Sequence, residues 1–89
     1  MAGVWGLDVE QVRELGNNLD REAESIDAIL SKLTNVLSST QWTGPDADQF
    51  RNDWQSVHSS ALRRVAGALR DTAQAAKANA NAQEQVSRG

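Results

Sequence analysis

The side chains able to do chemistry in this 89-residue chain are few and badly spaced for it. His58 is the one histidine, and the hydroxyls beside it belong to Ser59 and Ser60. Adjacent positions on a helix point in different directions, so no nucleophile–base pair follows from that run. His58 is read as a rim residue. The carboxylates Glu22, Glu24 and Asp27 could line up along a helix, but a two-metal bundle site needs a Glu-x-x-His pattern that is missing. Cysteine is absent, which excludes disulfides and thiolate metal sites. The expectation is a non-enzyme with no cofactor and no metal.

Charge narrows the partners. The net charge is −3 and the sequence pI about 4.9. A phosphate-binding surface normally carries a basic stripe, because counterion release supplies most of its affinity. The nearest candidate is Arg63, Arg64 and Arg70, with Asp71 beside the last, and it reads as a solvated helix face. No nucleic acid is expected. No window approaches the roughly 20 apolar residues that span a bilayer, and neither helix has the Lys/Arg-rich polar face of an interfacial helix. A membrane role is not expected. The stretch Met1-Ala2-Gly3-Val4-Trp5-Gly6 has neither the positive nor the apolar region of a cleavable signal peptide.

Two helices must position whatever the chain does. Asp8 stands as the N-cap of the first, Gln11 completes a capping-box pattern, and Leu7 and Val12 are spaced as a hydrophobic staple. Apolar residues then keep a helical period for about four heptads. Val12, Leu19, Ile26 and Leu33 form one row; Leu15, Ile29 and Val36 form a second, interrupted by Glu22. Ala23, Leu30 and Leu37 widen the stripe. This predicts a helix from about residue 8 to about 38, some 45 Å long. The turn spans about 39–44. Gly44 precedes proline and should be extended, and Pro45 suits the first position of a new helix. Asp46 and Asp48 complement that helix's dipole.

The second helix should run from about 45 to about 82. Ala47, Phe50, Trp54, Val57, Ala61, Leu62, Val65, Ala68, Leu69, Thr72 and Ala76 trace its apolar face. Gly67, on the polar side, weakens it by about 1 kcal/mol relative to alanine. From about Gln83 the chain is expected to fray. There is no strand alternation. The fold class is all-α: one antiparallel helix-turn-helix hairpin.

A hairpin leaves part of such wide stripes uncovered, and monomers rarely expose large contiguous apolar patches. Packing a second hairpin on the first, as a four-helix bundle, covers them. Residues 1–44 carry seven acidic and three basic side chains, residues 45–89 five and six, so antiparallel packing also lowers repulsion. The interface, within the hairpin or between hairpins, is assigned to Val12, Leu15, Leu19, Ile26, Ile29, Leu33, Val36, Val57, Leu62, Val65 and Leu69.

Trp42-Thr43-Gly44 sits at the centre of the chain between amphipathic helices, with Phe50 six residues after the glycine and Trp54 one helical turn later. This arrangement resembles the WXG family, the early-secreted-antigen-like substrates of type VII secretion in actinobacteria and other Gram-positive bacteria. The resemblance covers nearly the whole chain. It implies a hairpin that dimerises, with itself or with a paralogous hairpin. It also implies export as a folded dimer by a membrane-bound type VII ATPase system, without a cleavable signal. By position, Trp42 and Gly44 are its signature residues, and Phe50 and Trp54 belong to the bundle core near the turn. Gly44 would let the chain pass closely through the turn. Trp42 either plugs the hairpin end or presents a surface to secretion machinery, or does both. The family's export signal places a tyrosine four residues before an acidic residue, and this sequence has no tyrosine. The resemblance therefore favours a heterodimer whose partner carries the signal. The alternative is a helical adaptor or chaperone partner for a larger secreted toxin, itself not secreted.

Overall fold

A computed structural model of the chain describes residues 6–88. The readings made on Met1–Trp5 and Gly89 lie outside the described residues. The remainder is helical: α1 (Val9–Ser39), α2 (Pro45–Asp53), a π-helical turn (Trp54–His58) and α3 (Ser59–Arg88). The second arm folds back along the first to give a rod of 65 × 17 × 12 Å.

Local chemistry sets the ends of α1. Asp8 is extended (φ −91°, ψ 118°) and its carboxylate accepts the Gln11 backbone N–H at 3.0 Å, satisfying one of the helix's orphan donors. At the other end Ser38, Ser39 and Thr40 return their hydroxyls to carbonyls one turn back, at Thr34, Asn35 and Val36. Such back-bonding competes with helix continuation, and Thr40 leaves it in an extended conformation. Gly44 then holds φ +123°, a region closed to most side chains, and Pro45 opens α2.

Packing follows a heptad seam. On α1 the row Val12, Gly16, Leu19, Ala23, Ile26, Leu30, Leu33, Leu37 advances in alternating steps of four and three. Gly16, Ala23 and Leu30 along it are buried. On α3 the matching row is Ser59, Leu62, Ala66, Leu69, Ala73, Ala76, Ala80, Gln83, and six of these eight are buried. Steps of three and four at 3.5 residues per turn are the spacing of two helices packed knobs into holes. Small residues dominate, so the helices approach closely. A Cβ on Gly16 would stand 2.9 Å from Lys77 Cγ and 3.1 Å from the Ala73 carbonyl.

Two expectations for the second arm need correction. It is not one uniform α-helix, and it does not end near residue 82, since α3 continues to Arg88. The buried positions Ala47 and Trp54 are seven apart, but the next buried position is Ser59, five residues on, where an unbroken seam would use His58. The π turn takes up that extra residue. One residue rotates everything downstream by about 100°. That is why Val65 and Ala68, expected on the buried face, are exposed, while Leu62, Ala66 and Leu69 take the seam.

Candidate interaction surfaces

At the hairpin end the side chains gather around Arg51. Its guanidinium donates to the carbonyls of Leu37 (3.2 Å), Thr40 (3.0 Å) and Trp42 (2.6 Å). α1 has no basic residue in its own last turn. Arg51 therefore supplies, from α2, the positive charge that its C-terminal dipole favours. The same guanidinium lies over the Trp42 ring, 5.8 Å from the centroid, a cation–π distance.

The aromatic residues form an array on Phe50. Its ring centroid lies 6.4 Å from each of Trp42, Trp54 and His58, all tilted, within the range of favourable ring contacts. Trp54 is buried and its indole N–H donates to the Thr34 hydroxyl at 3.0 Å, joining the arms. Phe50 and Trp42 stay about two-fifths exposed. Of the two residues assigned to the core near the turn, only Trp54 is in it. Gly44 has nothing within 4 Å of where a Cβ would stand. Its need for glycine comes from φ +123° and not, as expected, from a close approach of the chain.

The seam divides the rod into two unlike sides. On one, α1 residues one position after the inner row meet α3 across the groove. Arg13 lies 3.6 Å from Glu84, Asp20 lies 2.5 Å from Lys77, and Asp27 lies 2.5 Å from Arg70. The Asp27 hydrogen bond raises the pKa of the Arg70 guanidinium above its ordinary value. These pairs are substantially exposed, and solvent screening leaves each a small contribution to stability.

Two antiparallel helices whose ion pairs share one side must put their opposite flanks together on the other. That side carries Leu15, Ile29 and Val36 of α1, with Val65 of α3. Together with Leu33 and Val57 they keep 40 to 54 % of their surface exposed. Six of the eleven assigned interface residues thus stay exposed in the hairpin, Leu33 among them although it lies in the seam row. Val12, Leu19, Ile26, Leu62 and Leu69 are the half-buried five.

The residues considered for chemistry do not come together. His58 meets Phe50, Ser59 is buried in the seam, Glu22 lies among the exposed apolar residues of α1, and Asp27 is paired with Arg70. Among the described residues no three His, Cys, Asp or Glu side chains are grouped as metal ligands, and no helix is long and apolar enough to cross a membrane. No family model, curated protein or solved structure matches the chain. Sequence reasoning passed over Gly16, Arg51 and the π turn. Gly16 had a signal, seven residues before Ala23 in the row leading to Leu30 and Leu37. Arg51 had none, because its partners are carbonyls.

Proposed function

We propose that this chain is a non-enzymatic WXG-like hairpin, exported by a type VII secretion system as a folded dimer. The observation that carries the reading is the uncovered apolar side. Leu15, Leu19, Glu22, Ile26, Ile29, Leu33 and Val36 again advance by fours and threes, a second seam sharing Leu19, Ile26 and Leu33 with the first. A second seam of this spacing suits a further helix. The hairpin also needs one. Its buried row is mostly alanine, where each methyl contributes about 0.8 kcal/mol against roughly 1.5–3 for a buried leucine.

The partner is a hairpin of the same kind, a paralogue in preference to a second copy, since these 89 residues hold no tyrosine for an export signal. A helix covering the second seam meets one charge, Glu22, and must set a cation against it. Trp42, held by Arg51 at the exposed end, is the surface offered to the export ATPase.

The test has two arms in the producing cells. Deleting the secretion ATPase should remove the protein from the medium. Undiminished export would overturn the reading, and retention in the cytoplasm by both strains would leave the adaptor role. Ile29→Lys changes a side chain already exposed in the hairpin, so helix content should hold while the crosslinked dimer disappears.

A further inference from the structure

We infer that the cleft at the turn end of the ion-paired side, bounded by Arg63, is a binding site for a carboxylate on an acidic segment of a partner protein. The site follows from a ladder with a missing rung. Arg13–Glu84, Asp20–Lys77 and Asp27–Arg70 each advance seven residues along α1 as they retreat seven along α3. The next step pairs Thr34 with Arg63. No carboxylate stands there, and the Thr34 hydroxyl already accepts the Trp54 indole N–H. Arg63 is exposed, and no hydrogen bond or ion pair to it forms among the described residues.

The space beside Arg63 is concave. A cleft of about 370 Å³ is lined by Thr34, Ser38, Arg51, Trp54, Gln55 and Arg63 among others. Arg51 adds a second guanidinium whose bonds all go to carbonyls, so its charge meets no anion. Asp27, which lines an adjoining cleft with Arg63, is held by Arg70. Arg63 therefore brings an unpaired cation to a cleft that Arg51 also lines, in a chain of net charge −3.

The chemistry favours a single carboxylate. One guanidinium fork is free, its planar donors fit a carboxylate in bidentate fashion, and the rung below is already a guanidinium–carboxylate pair. A polyanion such as nucleic acid would meet the repulsion of the acidic remainder. The cleft lies across the seam from the apolar side, so a dimer formed there leaves it open. The inference does not rest on the export reading.

NMR titration of the labelled full chain at constant ionic strength tests it. Three probes are used: a blocked pentapeptide with two glutamates, its glutamine counterpart, and inorganic phosphate. The glutamate peptide should shift the Arg63 Nε–H and Trp54 indole N–H signals saturably. Arg63→Gln should weaken the binding read at Trp54 by about tenfold, the loss of a charge-assisted pair, and Arg64→Gln should leave it unchanged. Absence of a saturable shift, equal response to the glutamine peptide, or survival of binding in Arg63→Gln would each overturn the site. Tighter binding of phosphate than of the peptide would overturn the carboxylate assignment.

Discussion

Among the described residues, Trp54 and Thr34 are the one pair of side chains that hydrogen-bond across the arms near the turn, indole N–H to hydroxyl at 3.0 Å. The contact is part-buried and lies where the π turn begins. Losing either partner leaves a polar group without its bond in a half-dry place. Trp54→Phe and Thr34→Val should each cost about 1 kcal/mol. Their double mutant should cost less than the sum, by roughly 0.5 kcal/mol or more, because the pair shares one interaction. Urea melts of the four proteins check this, and strict additivity would show that the bond contributes nothing in solution.

Two glycines in helices should respond to alanine in opposite ways. At Gly67 a Cβ would meet nothing within 4 Å. Gly67→Ala should therefore gain the full helix-propensity difference of about 1 kcal/mol, raising Tm by roughly 4–8 °C. At Gly16 the same gain is opposed by the Ala73 carbonyl at 3.1 Å and by the Lys77 stem at 2.9 Å. Parting the helices there also loosens the alanine contacts along the seam. Gly16→Ala should be net destabilising by about 1–2 kcal/mol. Calorimetry of the two variants separates these effects, and a stabilised Gly16→Ala would mean that the close approach is absent.

Much of the hairpin is written in local signals. The Asp8 cap, the Gly44-Pro45 break and the apolar steps of three and four each specify structure within a few residues, so the two arms and their turn can be read directly. What cannot be read is phase. α3 has two neighbouring small-residue rows, one through Leu62, Ala66 and Leu69 and another through Ala61, Val65 and Ala68. Composition alone does not choose between them. The choice is made by Trp54 locking to Thr34 upstream and the ion pairs of Arg70 and Lys77 downstream, contacts between residues 20 to 57 apart in sequence. Gly44 shows the converse: its identity is legible, but the reason for it is an angle that no spacing reveals.

The π turn should therefore be removable by shortening the arm by one residue. Deleting the exposed Gln55 leaves Ser59 four residues and Leu62 seven residues after Trp54, the steps of an unbroken seam. Ser59, Leu62, Ala66 and Leu69 would stay in the seam, and the Asp20–Lys77 and Asp27–Arg70 pairs would keep their register. The deletion should leave helix content and stability nearly unchanged. Far-ultraviolet dichroism with a thermal melt reads both quantities. A large loss of stability would show that the π turn itself, and not the phase it sets, holds the second arm.

Arg51 should matter more than any of the cross-helix ion pairs, although it faces no acid. It donates to three carbonyls at the end of α1 and in the turn, and a hydrogen bond from a charged donor is worth about 1.5–3 kcal/mol where surface ion pairs give at most about 1. Arg51→Met keeps much of the stem while removing the donors, so the expected loss is about 2 kcal/mol. Gly44→Ala attacks the same turn through the backbone, forcing a Cβ into φ +123°, and should cost about 1–3 kcal/mol. The two should differ in what they do to Trp42. Without Arg51 the indole loses the cation above its ring and the donor on its own carbonyl, so its fluorescence should move toward that of a solvated tryptophan even below the melting transition. Gly44→Ala leaves Arg51 in place, and Trp42 should keep its native emission until the hairpin melts. Measuring Trp42 alone, in a background where Trp5 and Trp54 are phenylalanine, distinguishes them. Identical Trp42 spectra in Arg51→Met and the parent would show that the aromatic array, and not the guanidinium, holds that side chain at the hairpin end.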